Sequence, residues 1–369
     1  DTLLPGISFV PPTQLNATLQ YERYVKINVS INDSDLGKVI YTWNGTDYNI
    51  YDDSLVAMFN FENLSLLGEN ATRVVDLSYY GNNGTVFGNA IWNSSGKYGG
   101  AYQFDGVNDY INIPDPNIVE NLSRFSVSFW AKASTSLPTQ TNQIVVEQEG
   151  TNPDIFDVNI NESGPSGEGY NFRVTASSDL GITNITVSAD GADVDLAQWH
   201  HVVGVYNGIN VLVYQDGVLQ LDQPALTGLT TTMNHNLRIS SSGGSAFNGT
   251  IDEVAIWNRS LTSAEVQQLY FTNLNKYDKN LWSLYVNQGK NATSGLDPGN
   301  YTYRATAFDK LGNRNETETR KIVIGDNRDP LNPFPNITST DGSNRTLQDL
   351  HCFDTLSDPD ANKMNVSLI

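Results

Sequence analysis

The chain has 369 residues, a net charge of −20, a mean hydropathy of −0.35, and 39% hydrophobic and 10% aromatic residues. That much apolar material excludes a disordered chain, and the length allows two or three separate cores. The acidic balance, with no Lys/Arg cluster to reverse it locally, excludes nucleic acid as a partner, and no run approaches the roughly 18 apolar residues needed to span a bilayer.

Residues 1–15 are proline-rich and read as a linker or edge segment. Residues 16–52 alternate apolar and polar, as in Tyr24-Val25-Lys26-Ile27-Asn28-Val29 and Val39-Ile40-Tyr41-Thr42-Trp43, the period of half-buried strands. Residues 53–272 form a self-contained block of short strands such as Phe125–Trp130 and Val211–Tyr214, with Gln215-Asp216-Gly217-Val218 as a hairpin turn. The block closes on the one helix that the periodicity predicts, Thr262 to Tyr270, capped by Thr262 or Ser263, with Val266, Leu269 and Tyr270 on its apolar face. Strands return from 281 to 325, through Tyr301–Ala307 and Arg320–Ile324. Residues 326–335, with three prolines, read as an interdomain linker. Residues 336–369 offer two strands, Asp349–Phe353 and Lys363–Ile369, joined by Ser357-Asp358-Pro359-Asp360. Half a sandwich exposes an apolar face and unpaired edges, so the expectation is that the native protein continues or that another subunit completes the fold by strand addition. The fold class is all-β, in antiparallel sandwiches.

Cys352 is the only cysteine, so no intramolecular disulfide can form; in Leu350-His351-Cys352-Phe353 it reads as a small hydrophobe rather than a nucleophile. Nineteen Asn-X-Ser/Thr sequons stand at Asn16, Asn28, Asn32, Asn44, Asn63, Asn70, Asn83, Asn93, Asn121, Asn161, Asn184, Asn248, Asn258, Asn291, Asn300, Asn315, Asn336, Asn344 and Asn365. Their density, without disulfides, points to N-glycosylation of an extracellular, cell-surface protein of a prokaryote, by its sequon use an archaeon. The first residues lack the basic and apolar regions of a signal peptide, so any export signal is expected to have been removed.

The middle block resembles the laminin-G-like members of the concanavalin A-like lectin/glucanase superfamily. The resemblance rests on Leu55–Glu62, Asp76–Thr85, Gly99–Ile111, Phe125–Trp130, Gln198–Val202, Val213–Gly217 and Phe247–Val254, in family order. The flanks carry a second resemblance: Leu296-Asp297-Pro298-Gly299-Asn300-Tyr301-Thr302-Tyr303 is similar to the tyrosine corner and F strand of an immunoglobulin-like or fibronectin-like sandwich, with Phe308–Asn313 as its F–G turn and Trp43 on a C strand. Neither flank is complete alone. The expected organisation is therefore a split immunoglobulin-like domain, 16–52 plus 274–325, with the laminin-G-like jelly roll of 53–272 inserted, followed by a partial immunoglobulin-like domain at 336–369.

That resemblance implies two kinds of site. A structural Ca²⁺ between first and last strands would draw on Asp76 and Asp252. Carbohydrate would need an aromatic platform with amide or carboxylate partners, for which Trp92, Tyr98 and Tyr110 are candidates, although aromatics in sandwich strands more often belong to the core. Catalysis is not expected, and no catalytic residues are assigned. A retaining glucanase needs two carboxylates about 5–5.5 Å apart, supplied by Glu-X-Asp-X-X-Glu, and that motif is absent. Glu147 and Glu149 share a strand face in a different pattern, while Asp252 and Glu253 should point to opposite faces. His200 and His201 likewise face opposite sides and cannot chelate one metal. The expected function is a non-enzymatic structural and adhesive protein of the cell surface, a subunit of a filament or array, with like subunits, other surface proteins and glycans as partners. The alternatives are a calcium-dependent carbohydrate-binding module and, less favoured, a glycoside hydrolase.

Overall fold

In Val25–Asn32 the alternate residues Val25, Ile27, Val29 and Ile31 are buried, and in Leu36–Trp43 Val39, Tyr41 and Trp43 are. One face of each strand must therefore meet another sheet. The computed structural model describes residues 3–114, 118–134, 143–148, 154–164, 167–178, 181–188, 195, 197–220, 223–231, 236–242, 245–287 and 295–326, together with the backbone of 336–339 and 350–353. Among the described residues the strands form sheets of nine, eight, six and four strands and one separate two-stranded ladder.

The nine- and eight-stranded sheets are built wholly from residues 55–257 and pack face to face as one sandwich. The larger runs Gly181–Ser188, Gly167–Ser178, Phe156–Gly164, Gln143–Gln148, Leu237–Ser240, Tyr110–Ile113, Gly84–Phe87 and Arg73–Val74, with Leu229–Thr230 beside Gly167–Ser178. In the smaller, Phe125–Ala133 lies between His200–Tyr206 and Asn248–Trp257. The interior holds Phe104, Phe125, Phe129, Phe156, Phe172 and Tyr206. Gly204 belongs to the packing, because a Cβ there would stand 2.7 Å from the Phe172 ring. This is the all-β jelly-roll sandwich expected for the middle block.

The other two sheets each mix strands from both sides of that block. Val25–Asn32 pairs with Leu281–Val286, and Leu36–Trp43 pairs with Gly299–Asp309. Gly6–Phe9, within the segment read as a linker or edge, is an edge strand on Val25–Asn32. Trp43 stacks on Tyr301 with ring centroids 5.1 Å apart and 15° between planes, and Tyr301 Oη donates to the Asp297 carbonyl at 3.0 Å. Residues far apart in sequence thus share one interior.

Helix Ser263–Phe271 covers the outer face of the eight-stranded sheet. Thr262 caps it: Glu265 N–H donates to Thr262 Oγ1, and Thr262 N–H donates back to Glu265. Val266 is buried, and Tyr270 stacks on Trp130 at 5.6 Å. Leu55, Met58, Trp257 and Val266 belong to the same apolar cluster as Leu274, Trp282 and Trp43, so the two sandwiches are joined by a continuous core. Leu350–Phe353 pairs with Asn336–Ser339; Lys363–Ile369, the expected second strand, lies outside the described residues, as does 327–335 of the expected linker.

Candidate functional site

Asp76 is a turn organiser. Its carboxylate accepts from Met58 N–H, Ser78 N–H and Ser78 Oγ, each at 2.8 Å, and from Asn82 N–H at 2.7 Å. Burial raises its pKa against the pull of these donors. Four donors converge on its two oxygens, so the side chain fixes the loop through Asn82. Asp252 has a separate set of partners. It accepts from Tyr98 N–H at 3.0 Å and from Glu253 N–H at 2.8 Å, and it is fully buried.

Glu253 does not obey strand alternation. Its φ is +54°, and the register against Phe125–Ala133 slips between Ser128 and Trp130, so a β-bulge sits at this point. The expectation of opposite faces for Asp252 and Glu253 fails here. Burial drives both carboxyls well above the ordinary range, Glu253 is pushed further by Asp252, and Glu62 adds to both. Glu62 itself is raised to about 7, chiefly by burial, while it accepts from Gly100 N–H at 3.3 Å and Asn275 Nδ2 at 3.1 Å. Asn60 Nδ2 donates to Glu253 and to the Leu274 carbonyl. Three oxygens in this neighbourhood, Glu253 Oε1, Asn60 Oδ1 and Asn275 Oδ1, are buried without a hydrogen-bond partner. Among the described residues no three His, Cys, Asp or Glu side chains are arranged to hold a metal ion.

The three aromatics named from sequence do not form one platform. Trp92 donates its indole N–H to the Phe61 carbonyl at 2.6 Å and packs on the core of the middle sandwich. Tyr98 meets Trp130 edge-on at 6.0 Å and Tyr285 at 5.7 Å, so it faces the flanking sandwich. Tyr110 lies on the outer face of the nine-stranded sheet, stacked on Phe87 at 5.0 Å with an 8° interplanar angle.

Around Tyr110 the sheet register builds a polar surface. Thr186, Arg173, Asp157, Glu147, Arg238, Asn112 and Thr85 lie in one cross-strand row. The next row, Val187, Phe172, Val158, Val146, Ile239, Ile111 and Val86, points into the core or packs against it. The Arg238 guanidinium sits 5.3 Å from the Tyr110 ring centroid. Asp157, 1% exposed, is paired with Arg173 and accepts from Asn159. Glu147, 4% exposed, is raised to about 8 by burial first and by Asp154 second, so at neutral pH it offers a carboxylic O–H rather than a charge. Asn112 Oδ1 is buried without a partner. Sequence reading found Tyr110 and paired Glu147 with Glu149, which lies outside the described residues; it missed Phe87, Asn112, Arg173 and Arg238. The strand register that aligns them was the absent signal.

His200 and His201 face opposite ways as expected: His200 Nδ1 pairs with Asp216 at 2.8 Å, while His201 is buried against Trp130 with Nε2 2.9 Å from Ser128 Oγ. Of the sequon asparagines, Asn16, Asn32, Asn44, Asn70, Asn121, Asn184 and Asn300 are exposed. Asn28 is 4% exposed, its amide donating to Tyr277 Oη at 3.0 Å and its carbonyl oxygen accepting from Ser283 Oγ at 2.9 Å. Asn291, Asn344 and Asn365 lie outside the described residues, and the side chains of Asn161 and Asn336 are likewise outside them.

Residues 105–267 match the laminin G-type family model described as the concanavalin A-like lectin/glucanases superfamily. No curated protein matches. Among solved structures, domain 4 of AbnA, a GH43 extracellular arabinanase from Geobacillus stearothermophilus in complex with arabinotriose, is 22% identical, covers 58% of this chain and 98% of that one, and has a TM-score of 0.44. The binding domain of Paraclostridial Mosquitocidal Protein 1 is 15% identical, covers 61% of this chain and 54% of that one, and has a TM-score of 0.46. Trypanosoma rangeli sialidase, in complex with the inhibitor DANA, is 16% identical, covers 58% and 32%, and has a TM-score of 0.40.

Proposed function

Starting from a middle block that is a concanavalin A-like sandwich, we propose that the chain is a non-enzymatic, extracellular structural and adhesive protein whose sandwich holds a glycan on the outer face of its nine-stranded sheet. The observation that carries this reading is the Tyr110–Phe87 pair set beside the row of Asn112, Arg238 and Glu147, with the Arg238 guanidinium 5.3 Å from the Tyr110 ring. A sugar ring needs an apolar face to lie on and fixed donors and acceptors for its hydroxyls. The aromatic pair supplies the first; Arg238, the Asn112 carbonyl oxygen and the neutral Glu147 carboxyl supply the second. Asp157 is tied to Arg173 and Asn159, which favours an architectural anion over a nucleophile.

The extracellular setting is supported by the exposed sequons and the lone cysteine. The flanking sandwich reads as a split immunoglobulin-like domain, supported by its strand pairing and by the Tyr301–Asp297 bond. Rigid sandwiches joined through a shared core suit projection from an archaeal or bacterial surface, with like subunits as neighbours.

A glycan array probed with the intact chain tests the reading. Binding is expected and should fall at least about tenfold in Tyr110→Ala; an array without hits overturns it, as does release of reducing sugar from β-glucans. A calcium-dependent form of the reading rests on Glu253, Asn60 and Asn275, whose unpartnered oxygens suit a hard cation. Under that form calcium raises the melting temperature relative to EGTA, and an unchanged melting temperature removes it.

A further inference from the structure

The four-stranded flanking sheet turns a polar face toward the middle sandwich. Its inner face is apolar, with Val25, Ile27, Trp282 and Leu284 buried. Its other face sets two cross-strand rows, Lys26–Tyr285–Asn273 and Asn28–Ser283–Asn275. A sheet face that meets a second domain ordinarily closes on it with apolar side chains, and elsewhere this junction does so through Leu55, Met58, Trp257 and Leu274. Here it leaves a cavity of about 440 Å³, within the roughly 300–1,000 Å³ span of small-ligand sites.

Both sandwiches line it. The middle one contributes Glu62, Leu64, Tyr98 and Gly99, and the flanking sheet contributes the two rows with Tyr277. Tyr98 and Tyr285 meet at 5.7 Å with their ring planes 58° apart, and Tyr24 backs Tyr285 at 5.2 Å. Asn275 spans the boundary, donating Nδ2 to Glu62 at 3.1 Å while its Oδ1 is buried with no partner. The lining thus combines tyrosine rings, amides, a hydroxyl, one ammonium and one carboxyl, with no excess of either charge.

We propose that this cleft is a second binding site, composite between the inserted sandwich and its host, and that it takes a short neutral saccharide. The Tyr285 ring, lining the cleft beside Tyr98, receives the apolar face of a pyranose. Asn275 Oδ1 accepts from one hydroxyl, and Lys26 and Glu62 at the rim reach others. The chain crosses between the sandwiches twice, from Tyr51 to Leu55 and directly from helix residue Phe271 into strand residue Thr272. With the continuous core, these crossings hold the two walls in fixed relation, so the cleft is preformed and little ordering opposes binding. None of its residues belongs to the Tyr110 face.

Saturation-transfer NMR of the intact chain with cellobiose, lactose and mannobiose tests this. Transfer to at least one disaccharide is expected, and its affinity should fall roughly tenfold or more in Asn275→Ala and in Tyr285→Ala. Thermal unfolding of each variant verifies that it remains folded. Should Tyr285→Ala unfold, Tyr285→Phe keeps the ring and should bind within about twofold of wild type while Asn275→Ala still loses binding. Absence of transfer to all three sugars overturns the proposal. So does a signal that survives both cleft variants and disappears in Tyr110→Ala, which would assign the binding to the outer face alone.

Discussion

Replacing Glu147 with glutamine should remove a stability loss that the wild-type protein suffers as pH rises. Glu147 is 4% exposed, and burial, aided by Asp154, holds its carboxyl up to about 8 from an ordinary 4.5. The unfolded chain releases this proton near the ordinary value, whereas the folded chain keeps it until about 8. Between those values the folded state binds more protons, so stability falls as pH rises, and the fall ends above the folded value. At roughly 1.4 kcal/mol per pH unit the gap sets a ceiling of about 5 kcal/mol; allowing for relaxation and water entry around the ionised group, about 2–3 kcal/mol is expected. Glutamine keeps the shape and hydrogen-bonding capacity but cannot ionise. Urea unfolding followed by tryptophan fluorescence should therefore give similar stabilities at pH 5 and a variant more stable by about 2–3 kcal/mol at pH 9. Glu62, raised to about 7, has the same sign in both proteins, so the difference between them isolates Glu147. A variant with the wild-type pH slope, or one less stable than wild type at pH 9, would refute the reasoning.

Trp43→Ala should cost about 3–5 kcal/mol, because it empties the contact with Tyr301 and Tyr303, and a melting temperature within a degree or two of wild type would show that the flanks do not share that interior. Arg173→Ala leaves Asp157 buried without its cation and should cost about 3–5 kcal/mol in urea unfolding at pH 7, with part of the loss recovered at low pH where Asp157 protonates. Thr262→Ala removes the helix cap and should cost about 0.5–2 kcal/mol, read by the same assay, with Thr262→Ser restoring most of it. Asp76→Asn loosens the loop through Asn82 and should lower the melting temperature equally in calcium and in EGTA, since the carboxylate serves backbone donors.

The parts of the fold legible in the sequence were those governed by local pattern. Period-two alternation exposed the strands around Trp43 and Tyr301, and Thr262 or Ser263 marked the helix start, because strand faces and caps are decided within a few residues. The sites were less legible because they are made by register. Nothing near Tyr110 in sequence reveals that Arg238 stands beside it with Glu147 on the strand beyond; only the pairing of Tyr110–Ile113 with Leu237–Ser240 and of Leu237–Ser240 with Gln143–Gln148 aligns them. Glu253 shows the same limit in another form. Alternation assigned it the face opposite Asp252, but a residue at positive φ in a bulge resets the count, and both carboxyls enter one buried neighbourhood with Glu62. Asp76 was ambiguous, because an acidic residue in a loop looks alike whether it binds a cation or collects N–H donors. A weak signal for the cleft was present, since Lys26, Asn28, Asn273, Asn275 and Tyr285 alternate with apolar residues, but an outward polar face ordinarily means solvent.

The central claim is that a glycan is held on the outer face of the nine-stranded sheet. Its most direct test is a crystal structure of the intact chain with the tightest-binding glycan from the array. The account predicts a sugar ring stacked on Tyr110 and hydrogen-bonded to Arg238 and Asn112. Density for the glycan only elsewhere, with the Tyr110 face bare, would contradict it.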